Sequence, residues 1–465
     1  MQVQNALSRR TLMQLAAVAG AGLALPSIGA QSAEAQGMGS PNMLIRGATL
    51  LTMDSKLADI VEGDVMIRDG VIVAVGKGLD AEGAQVLDAR GKLMIPGLVD
   101  SHWHMWNSIL RNAAPTPEGG TFFKVISALS GRFTPELSYT GVRLSLCESI
   151  NAGITTVNNW AHNIRGPAFA DAELRALRES GLRARFWYGY PQDLASTDKM
   201  DFADIERLQR QLGGKSSRLD LGIAIRGPER TDAKIWEQEF HFAKAHKLPV
   251  STHIAVTRKA QQQKAVLQLG QRGLLSPQIQ LVHATHVDAE DLRMIADSGA
   301  TVSLTPLTEM RVGYGLAPVM DLHTANIPIS LGIDTLVLSG NANPFMVMQT
   351  TLNLATALAE NELALTPRQV LYWATQGGAN EMGLGSVIGS ITPGKRADLV
   401  LLDAGSMGMS PLVDPVASIV QSASPADVHT VIADGKILKH GGRLTGVDQA
   451  GLVRDAEAAY QVLRS

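Results

Sequence analysis

Residues 95–104 read Ile95-Pro96-Gly97-Leu98-Val99-Asp100-Ser101-His102-Trp103-His104, a short apolar run that ends in two histidines. In an extended strand the side chains alternate between two faces, so His102 and His104 point to the same side. Neutral imidazole is a common ligand of zinc and iron. The stretch therefore predicts a buried strand that offers a pair of metal ligands at its end.

Downstream of this strand, apolar β runs alternate with helical patterns, which indicates βα units and a parallel sheet. A series of this length fits a (β/α)8 barrel, the TIM-barrel architecture, better than an open sheet. We place the eight strand ends near His104, Asn159, Tyr190, Arg226, Val256, His286, Pro306 and Asp334. Because the C-terminal strand ends carry the active site in such barrels, histidines and acids at these positions become the candidate site residues.

Short β-strands are predicted on both sides of the barrel. Residues 43–75 contain several of them, and residues 397–403 and 428–437 have the same character around an Asp434-Gly435 hairpin turn. We expect a small β-sandwich built from residues 36–95 and 391–445, an α/β barrel over residues 96–390 and a C-terminal helix over residues 446–465.

Composition and charge limit the class of protein. A chain of 465 residues with 45% hydrophobic and 18% charged residues is typical of a globular enzyme. A net charge of -3 without a Lys/Arg stripe predicts no nucleic-acid partner. No Gly-rich phosphate loop is present, and the single Cys147 cannot form an intrachain disulfide. The expected partner is a small molecule, and a homo-oligomer is compatible with the sequence.

The N-terminus carries a targeting signal. Ser8-Arg9-Arg10-Thr11-Leu12-Met13 precedes an Ala/Gly-rich apolar stretch, and this pattern resembles a twin-arginine export signal. Cleavage is expected after Ala35, with Ala30 as the other candidate. The mature protein is then predicted to be periplasmic or secreted, without a membrane anchor.

Five motifs carry a resemblance to a known family. They are PGLVDSHWH at 96–104, THIAV at 252–256, LVHATH at 281–286, LGID at 331–334 and TPGKRADLVLLD at 392–403. In order and spacing they resemble the amidohydrolase superfamily, most closely its aminohydrolases and chlorohydrolases of triazines, cytosine and adenosine derivatives. The resemblance covers nearly all of the predicted mature chain and implies a distorted barrel with one or two divalent metals.

The resemblance also implies roles for individual residues. The implied metal ligands are His102, His104, His253 and Asp334. Asp334 would also move the proton of the attacking water, and His283 would polarise the substrate. Binuclear relatives use a carboxylated lysine at a barrel strand end, whereas the fourth strand, residues 219–226, contains no lysine. One divalent transition metal is therefore expected, and zinc is favoured over iron.

One departure from the family bears on the reaction. Deaminating relatives have a glutamate three residues after the strand-five histidine, where this chain has Val256. This difference favours hydrolysis of a C–N bond in an amide, urea, carbamate or lactam of a small, ring-containing molecule. Two alternatives remain: a deaminase or dechlorinase in which Glu309 or a second water supplies the proton, and a non-catalytic metal-binding periplasmic protein. The predicted substrate-binding residues are His162, Arg226, Glu309 and Trp103.

Overall fold

The structure is a computed structural model that describes residues 42–117, 120–212 and 218–465. The predicted export signal, residues 1–35, lies outside the described residues. The strands are β1 (Asn42–Leu50), β2 (Ile60–Arg68), β3 (Val71–Gly76), β4 (Gln85–Asp88), β5 (Lys92–Pro96), β6 (Leu98–Trp103), β7 (Ile154–Ala161), β8 (Arg183–Tyr188), β9 (Leu219–Ala224), β10 (Val250–Ile254), β11 (Ile279–His283), β12 (Thr301–Leu304), β13 (Ile329–Leu331), β14 (Leu399–Asp403), β15 (Val428–Ala433), β16 (Lys436–His440) and β17 (Arg443–Leu444).

The helices begin after β6 and separate most of the later strands. They are α1 (Phe122–Leu129), α2 (Pro135–Asn151), α3 (Pro167–Ser180), α4 (Phe202–Leu212), α5 (Ala233–His246), α6 (Arg258–Gln261), α7 (Ala265–Gln271), α8 (Ala289–Ser298), α9 (Pro306–Arg311), α10 (Val319–Thr324), α11 (Leu336–Ser339), α12 (Pro344–Ala359), α13 (Pro367–Tyr372), α14 (Gly378–Glu381), α15 (Pro415–Gln421) and α16 (Gln449–Arg464). Caps fix several of their starts: the Thr134 hydroxyl accepts the N–H of Leu137 ahead of α2, and Asp288 forms a capping box with Asp291 in α8. Within the described residues, no helix has the length and apolar character needed to cross a membrane.

Strands β6 to β13 form a nearly closed parallel barrel in which each strand pairs with the next along the chain. The predicted strand ends lie within three residues of the observed ones. The barrel closes at the candidate site itself, because the N–H of Asp334 donates to the carbonyl of His102 at 2.8 Å and the N–H of His104 donates to the carbonyl of Asp334 at 2.6 Å. The backbone that completes the barrel therefore also fixes three of the predicted metal ligands.

Polar side chains inside the barrel are joined by hydrogen bonds. The indole N–H of Trp160 donates to Ser251 Oγ at 2.9 Å, and Ser251 Oγ donates to Gln280 Oε1 at 2.5 Å. The amide of Gln280 donates in turn to the carbonyl of Ser101 at 2.8 Å. Because buried polar groups must be paired, this chain of contacts fixes the relative positions of β6, β7, β10 and β11 below the site.

A separate, mostly antiparallel sheet is assembled from both ends of the described chain. Its order is β17-β16-β15-β14-β5-β1-β2-β3, with β4 beside β1. The two ends meet where Leu401 of β14 lies opposite Met94 of β5. Asp434 and Gly435 both have positive φ, +52° and +79°, as a two-residue hairpin turn requires. The predicted fold class, an α/β barrel with a sheet built from both ends of the chain, is confirmed.

Candidate active site

The C-terminal strand ends bring the predicted ligands to one point. His102 Nε2 lies 3.3 Å from His104 Nε2 and 3.2 Å from His253 Nε2. Asp334 Oδ1 lies 3.4 Å from His102 Nε2 and 3.2 Å from His104 Nε2. All four side chains are buried. They come from β6, β10 and the residue that closes the barrel after β13, so the parallel barrel accounts for their convergence.

These distances can be tested against the geometry of a metal site. Four ligands at about 2.0–2.1 Å from one cation are roughly 3.3–3.4 Å apart at tetrahedral corners. The spacings of 3.2–3.4 Å between the ring nitrogens and the carboxylate oxygen match that value. His102 Nε2 therefore lies at ligand spacing from each of the other three atoms, and the donor set fits a divalent transition metal.

The electrostatics of the cluster agree with this geometry. Burial lowers the pKa of His104 to about 3 and also lowers the pKa of His102 and His253. The rings are thus neutral at pH 7, which is the state that binds metal. Although burial opposes it, the contact with His102 and the nearby His104 hold the pKa of Asp334 well below its usual range. A neutral histidine set with an ionised carboxylate is an appropriate ligand field for one divalent cation.

His283 lies beside this cluster and is held by two neighbours. Its Nδ1 is 3.3 Å from Glu309 Oε1 and 3.1 Å from Thr305 Oγ1. Glu309 is completely buried and its carboxylate also accepts the N–H of Thr305 at 2.8 Å. With Nδ1 engaged by both neighbours, Nε2 is the His283 nitrogen that remains for a ligand. Glu309 consequently lies behind His283 and not on the surface of the cavity.

A cavity opens above the histidines. His104, His253, His283 and Asp334 form part of its wall. The remaining lining consists of five polar and five apolar side chains: His162, Gln192, Arg230, Thr308, Tyr314, Phe122, Phe123, Ile126, Val312 and Leu338. A polar end next to an apolar wall is suited to a ring that carries polar substituents.

The predicted substrate residues fall into two groups. His162 lines the cavity, and its Nδ1 accepts the indole N–H of Trp106 at 3.1 Å. Trp103 is completely buried and does not line the cavity, because it points to the opposite face of β6 from its two histidine neighbours. The Arg226 guanidinium donates to the carbonyls of Leu194 and Ala195 at 2.8 and 2.9 Å. These positions lend no support to substrate contacts of Trp103 and Arg226, which stay untested predictions.

Sequence reasoning missed several cavity residues, of which Arg230, Tyr314 and Gln192 are polar. Arg230 lies six residues past the end of β9, and Tyr314 follows α9. Both belong to loops at the C-terminal strand ends, which is the signal that could have found them. Arg230 and Tyr314 were missed because they lie in these loops, beyond the positions at which the strands end.

Comparisons with known proteins agree with the fold and with the motifs. The model of the amidohydrolase family matches residues 93–438. A 5-methylthioadenosine/S-adenosylhomocysteine deaminase of Desulforamulus reducens is 30% identical over 409 residues, which cover 85% of this chain and 93% of the relative. A 5'-deoxyadenosine deaminase of Methanosarcina mazei is 28% identical over 433 residues, with 91% and 98% covered.

Solved structures show the same fold at lower identity. An adenosine deaminase from Xanthomonas campestris with bound zinc superposes with a TM-score of 0.81 at 24% identity, covering 91% of this chain and 98% of the other. Atrazine chlorohydrolase from Arthrobacter aurescens, complexed with zinc, gives a TM-score of 0.79 at 22% identity, covering 90% and 100%.

Proposed function

The chain belongs to the amidohydrolase family, and from this membership we propose that it is a metal-dependent hydrolase that cleaves a non-peptide C–N bond in a small, ring-containing molecule. The observation that carries the proposal is the cluster around His102 Nε2, which lies 3.2–3.4 Å from His104 Nε2, His253 Nε2 and Asp334 Oδ1. It lies at the barrel face that carries catalysis in this architecture, at the wall of a cavity.

His102, His104, His253 and Asp334 would hold one divalent transition metal, for which zinc is favoured over iron. When bound, such a cation lowers the pKa of a water molecule from about 15.7 toward about 7 and so supplies a nucleophile at neutral pH. Two groups of side chains that could hold a metal are found among the described residues, His102 with His104 and Asp334, and His102 with His253 and His283; we assign one cation, at the shared His102. The fourth barrel strand, β9, has no lysine that could bridge a second one.

Asp334 and His283 divide the proton chemistry in this proposal. Asp334 accepts the proton of the attacking water and delivers it to the nitrogen that leaves when the C–N bond breaks. The Glu309 carboxylate can only accept, so the Nδ1–H of His283 donates to it at 3.3 Å. Protonated on both nitrogens, the ring would donate from Nε2 to the substrate oxygen as it becomes anionic, with the Glu309 carboxylate balancing its charge.

The reaction class follows from the acids that reach the cavity. Of the described residues that line it, Asp334 alone carries a carboxylate. Val256 occupies the position of the glutamate of deaminating relatives, and Glu309 contacts His283 from behind. An amide, urea, carbamate or lactam can be hydrolysed without protonation of a ring nitrogen, so this class is the preferred one. Deamination is the second candidate, because the 30%-identical relative is a deaminase.

The test compares products and metal content in one series. Purified protein is assayed for metal, and for ammonia and carboxylate release from aryl amides, ureas, lactams and aminopurines. We expect close to one metal equivalent, lost in His102→Ala, and turnover of an amide-like compound that Val256→Glu does not increase. The preferred reaction would be overturned in favour of deamination by two results together: the protein releases ammonia from an aminopurine but hydrolyses no amide, and Glu309→Gln abolishes that ammonia release.

We further propose that the protein is exported by the twin-arginine route and acts in the periplasm or outside the cell. The sequence around Arg9 and Arg10 supports this proposal. In a cell-fractionation experiment, replacing both arginines by lysine is expected to retain the precursor in the cytoplasm. Normal recovery of the double variant from the periplasm would refute this route.

A further inference from the structure

Arg230 introduces a permanent positive charge into the cavity wall. Among the described residues that line the cavity, it is the only lysine or arginine, and it keeps a large exposed fraction. No ion pair within the described ranges involves Arg230, so no carboxylate oxygen there lies within 4.0 Å of its guanidinium. Arg226, four residues earlier, is different, because backbone carbonyls occupy its guanidinium. The charge of Arg230 is therefore available to a ligand.

The neighbours of Arg230 are hydroxyl groups that remain neutral. Burial raises the pKa of Tyr314 to about 12, and burial also raises the pKa of Tyr190. Both tyrosines interact with the arginine through their side chains. Tyr314 lines the same cavity. A guanidinium beside a neutral phenol offers several hydrogen-bond donors together with a positive charge.

The nearest acid along the chain, Glu229, interacts electrostatically with Arg230 but forms no ion pair with it among those within 4.0 Å in the described residues. Its carboxylate accepts the N–H of Ala255 at 2.5 Å, just beyond the end of β10. Glu229 does not line the cavity. This contact ties the loop after β9 to the strand that carries His253 and so fixes the position from which Arg230 projects. The cation is held in place by its loop and is not neutralised by an ion pair.

We propose that Arg230, assisted by the Tyr314 hydroxyl, binds an anionic oxygen group of the substrate, a carboxylate or a phosphate. This inference rests on the proposed hydrolase function and narrows its substrate to small ring compounds that carry such a group. Guanidinium pairs with these anions through two parallel hydrogen bonds, which fixes orientation as well as charge. Arg230 lines the same cavity as His104, His253 and Asp334, so the anion site and the metal ligands share one cavity. The susceptible carbon would then be directed toward the metal ligands.

The proposal is tested with a matched set of probes: 4-acetamidobenzoate, 4-acetamidophenyl phosphate and the neutral 4-acetamidobenzamide. We expect the metal-loaded protein to prefer one of the anionic probes in kcat/KM. Loss of a bidentate charged contact in Arg230→Gln should reduce that preference by roughly 10- to 100-fold, mainly through KM. Activity on the neutral probe should change by less than about 3-fold. The better of the two anions identifies the group as a carboxylate or a phosphate.

Two further measurements separate this proposal from others. Arg311→Gln removes an equal charge from an exposed site on α9 and should leave all three probes unaffected. Calorimetry measures the affinity of the metal-loaded Asp334→Asn variant for each probe and so reports the anion preference even if no probe is hydrolysed. A failure of the hydrolase proposal can therefore be distinguished from a failure of the proposed role of Arg230. Equal affinity of that variant for anionic and neutral probes, or an equal loss for all probes in Arg230→Gln, would overturn the assignment of Arg230.

Discussion

Gly332 offers a sharp test of how the barrel positions its ligands. This residue lies between β13 and Asp334, against the backbone of β6. A Cβ at residue 332 would be 2.8 Å from the carbonyl oxygen of His102 and 2.9 Å from its amide nitrogen. Both are backbone atoms of the strand that supplies the histidine pair. Gly332→Ala therefore forces β6 and the loop with Asp334 apart.

The size of the effect follows from these distances. Ordinary van der Waals contact begins at 3.4 Å, so the backbone has to yield by 0.5–0.6 Å. The displaced strand is held by the hydrogen bond from Asp334 N–H to the His102 carbonyl, at 2.8 Å. Ligand distances in metal sites tolerate only about ±0.2 Å. We expect a loss of about 1–3 kcal/mol in the free energy of unfolding, a metal content well below one equivalent and a fall of roughly 10- to 100-fold in kcat/KM.

The assay compares Gly332→Ala with Gly408→Ala, because no atom lies within 4 Å of the position that a Cβ would take at Gly408. Metal content, urea unfolding and kcat/KM are measured for both variants and the wild type. The control should match the wild type in all three. A Gly332→Ala protein with a full metal complement and unchanged kcat/KM would show that the β6–Asp334 contact does not set the ligand geometry.

Three further predictions concern single carboxyl groups. Asp334→Asn keeps the shape of the site but removes the base, so kcat should fall by roughly 10²–10⁴-fold while metal is retained. Steady-state kinetics and metal analysis measure both quantities, and an unchanged kcat would contradict the role of Asp334. Glu309→Gln removes the carboxylate behind His283, and kcat should fall about 10-fold at constant metal content, whereas loss of metal would indicate a purely structural role. Burial raises the pKa of Glu173 from 4.5 to about 8, so the folded state keeps a proton that the unfolded chain releases, and the free energy of unfolding should fall as pH rises from 4.5 to 8. In urea titrations across that range Glu173→Gln should remove a pH dependence of up to roughly 5 kcal/mol, and identical pH profiles would refute the assignment.

The sequence was sufficient to predict the centre of the site because strand geometry leaves little freedom there. His102 lies in β6 and His104 follows one residue after the strand ends, so the period-two pattern of the strand indicates that both point to the same side. His253 and Asp334 follow predicted strands, and parallel barrel strands end at a common rim. Their meeting at 3.2–3.4 Å is thus a consequence of topology and period.

The side chains from the loops were harder to predict, because a loop can turn a residue toward or away from the cavity. Arg226 and Arg230 are four residues apart beyond the same strand, yet carbonyl groups occupy only the first. Glu309 was considered as an acid for the substrate. The start of α9 instead directs its carboxylate back to the N–H of Thr305, behind His283. Each loop leaves different backbone groups without a hydrogen-bond partner. These groups depend on the tertiary contacts of the loop and cannot be predicted from its local sequence.

Val256 and Arg230 act together on the choice of substrate. Val256 has no acidic group that could protonate a ring nitrogen. The substrate must therefore contain a carbon that water can attack without that protonation. Arg230 adds a cation near Tyr314, so the cavity favours a group that is already anionic. A neutral purine satisfies neither condition, whereas an amide or lactam with an acidic substituent satisfies both. The Val256→Glu, Arg230→Gln double variant should therefore shift selectivity from anionic amides toward aminopurines more than either single change does. A double variant that shifts selectivity no further than the larger single change would contradict this joint role.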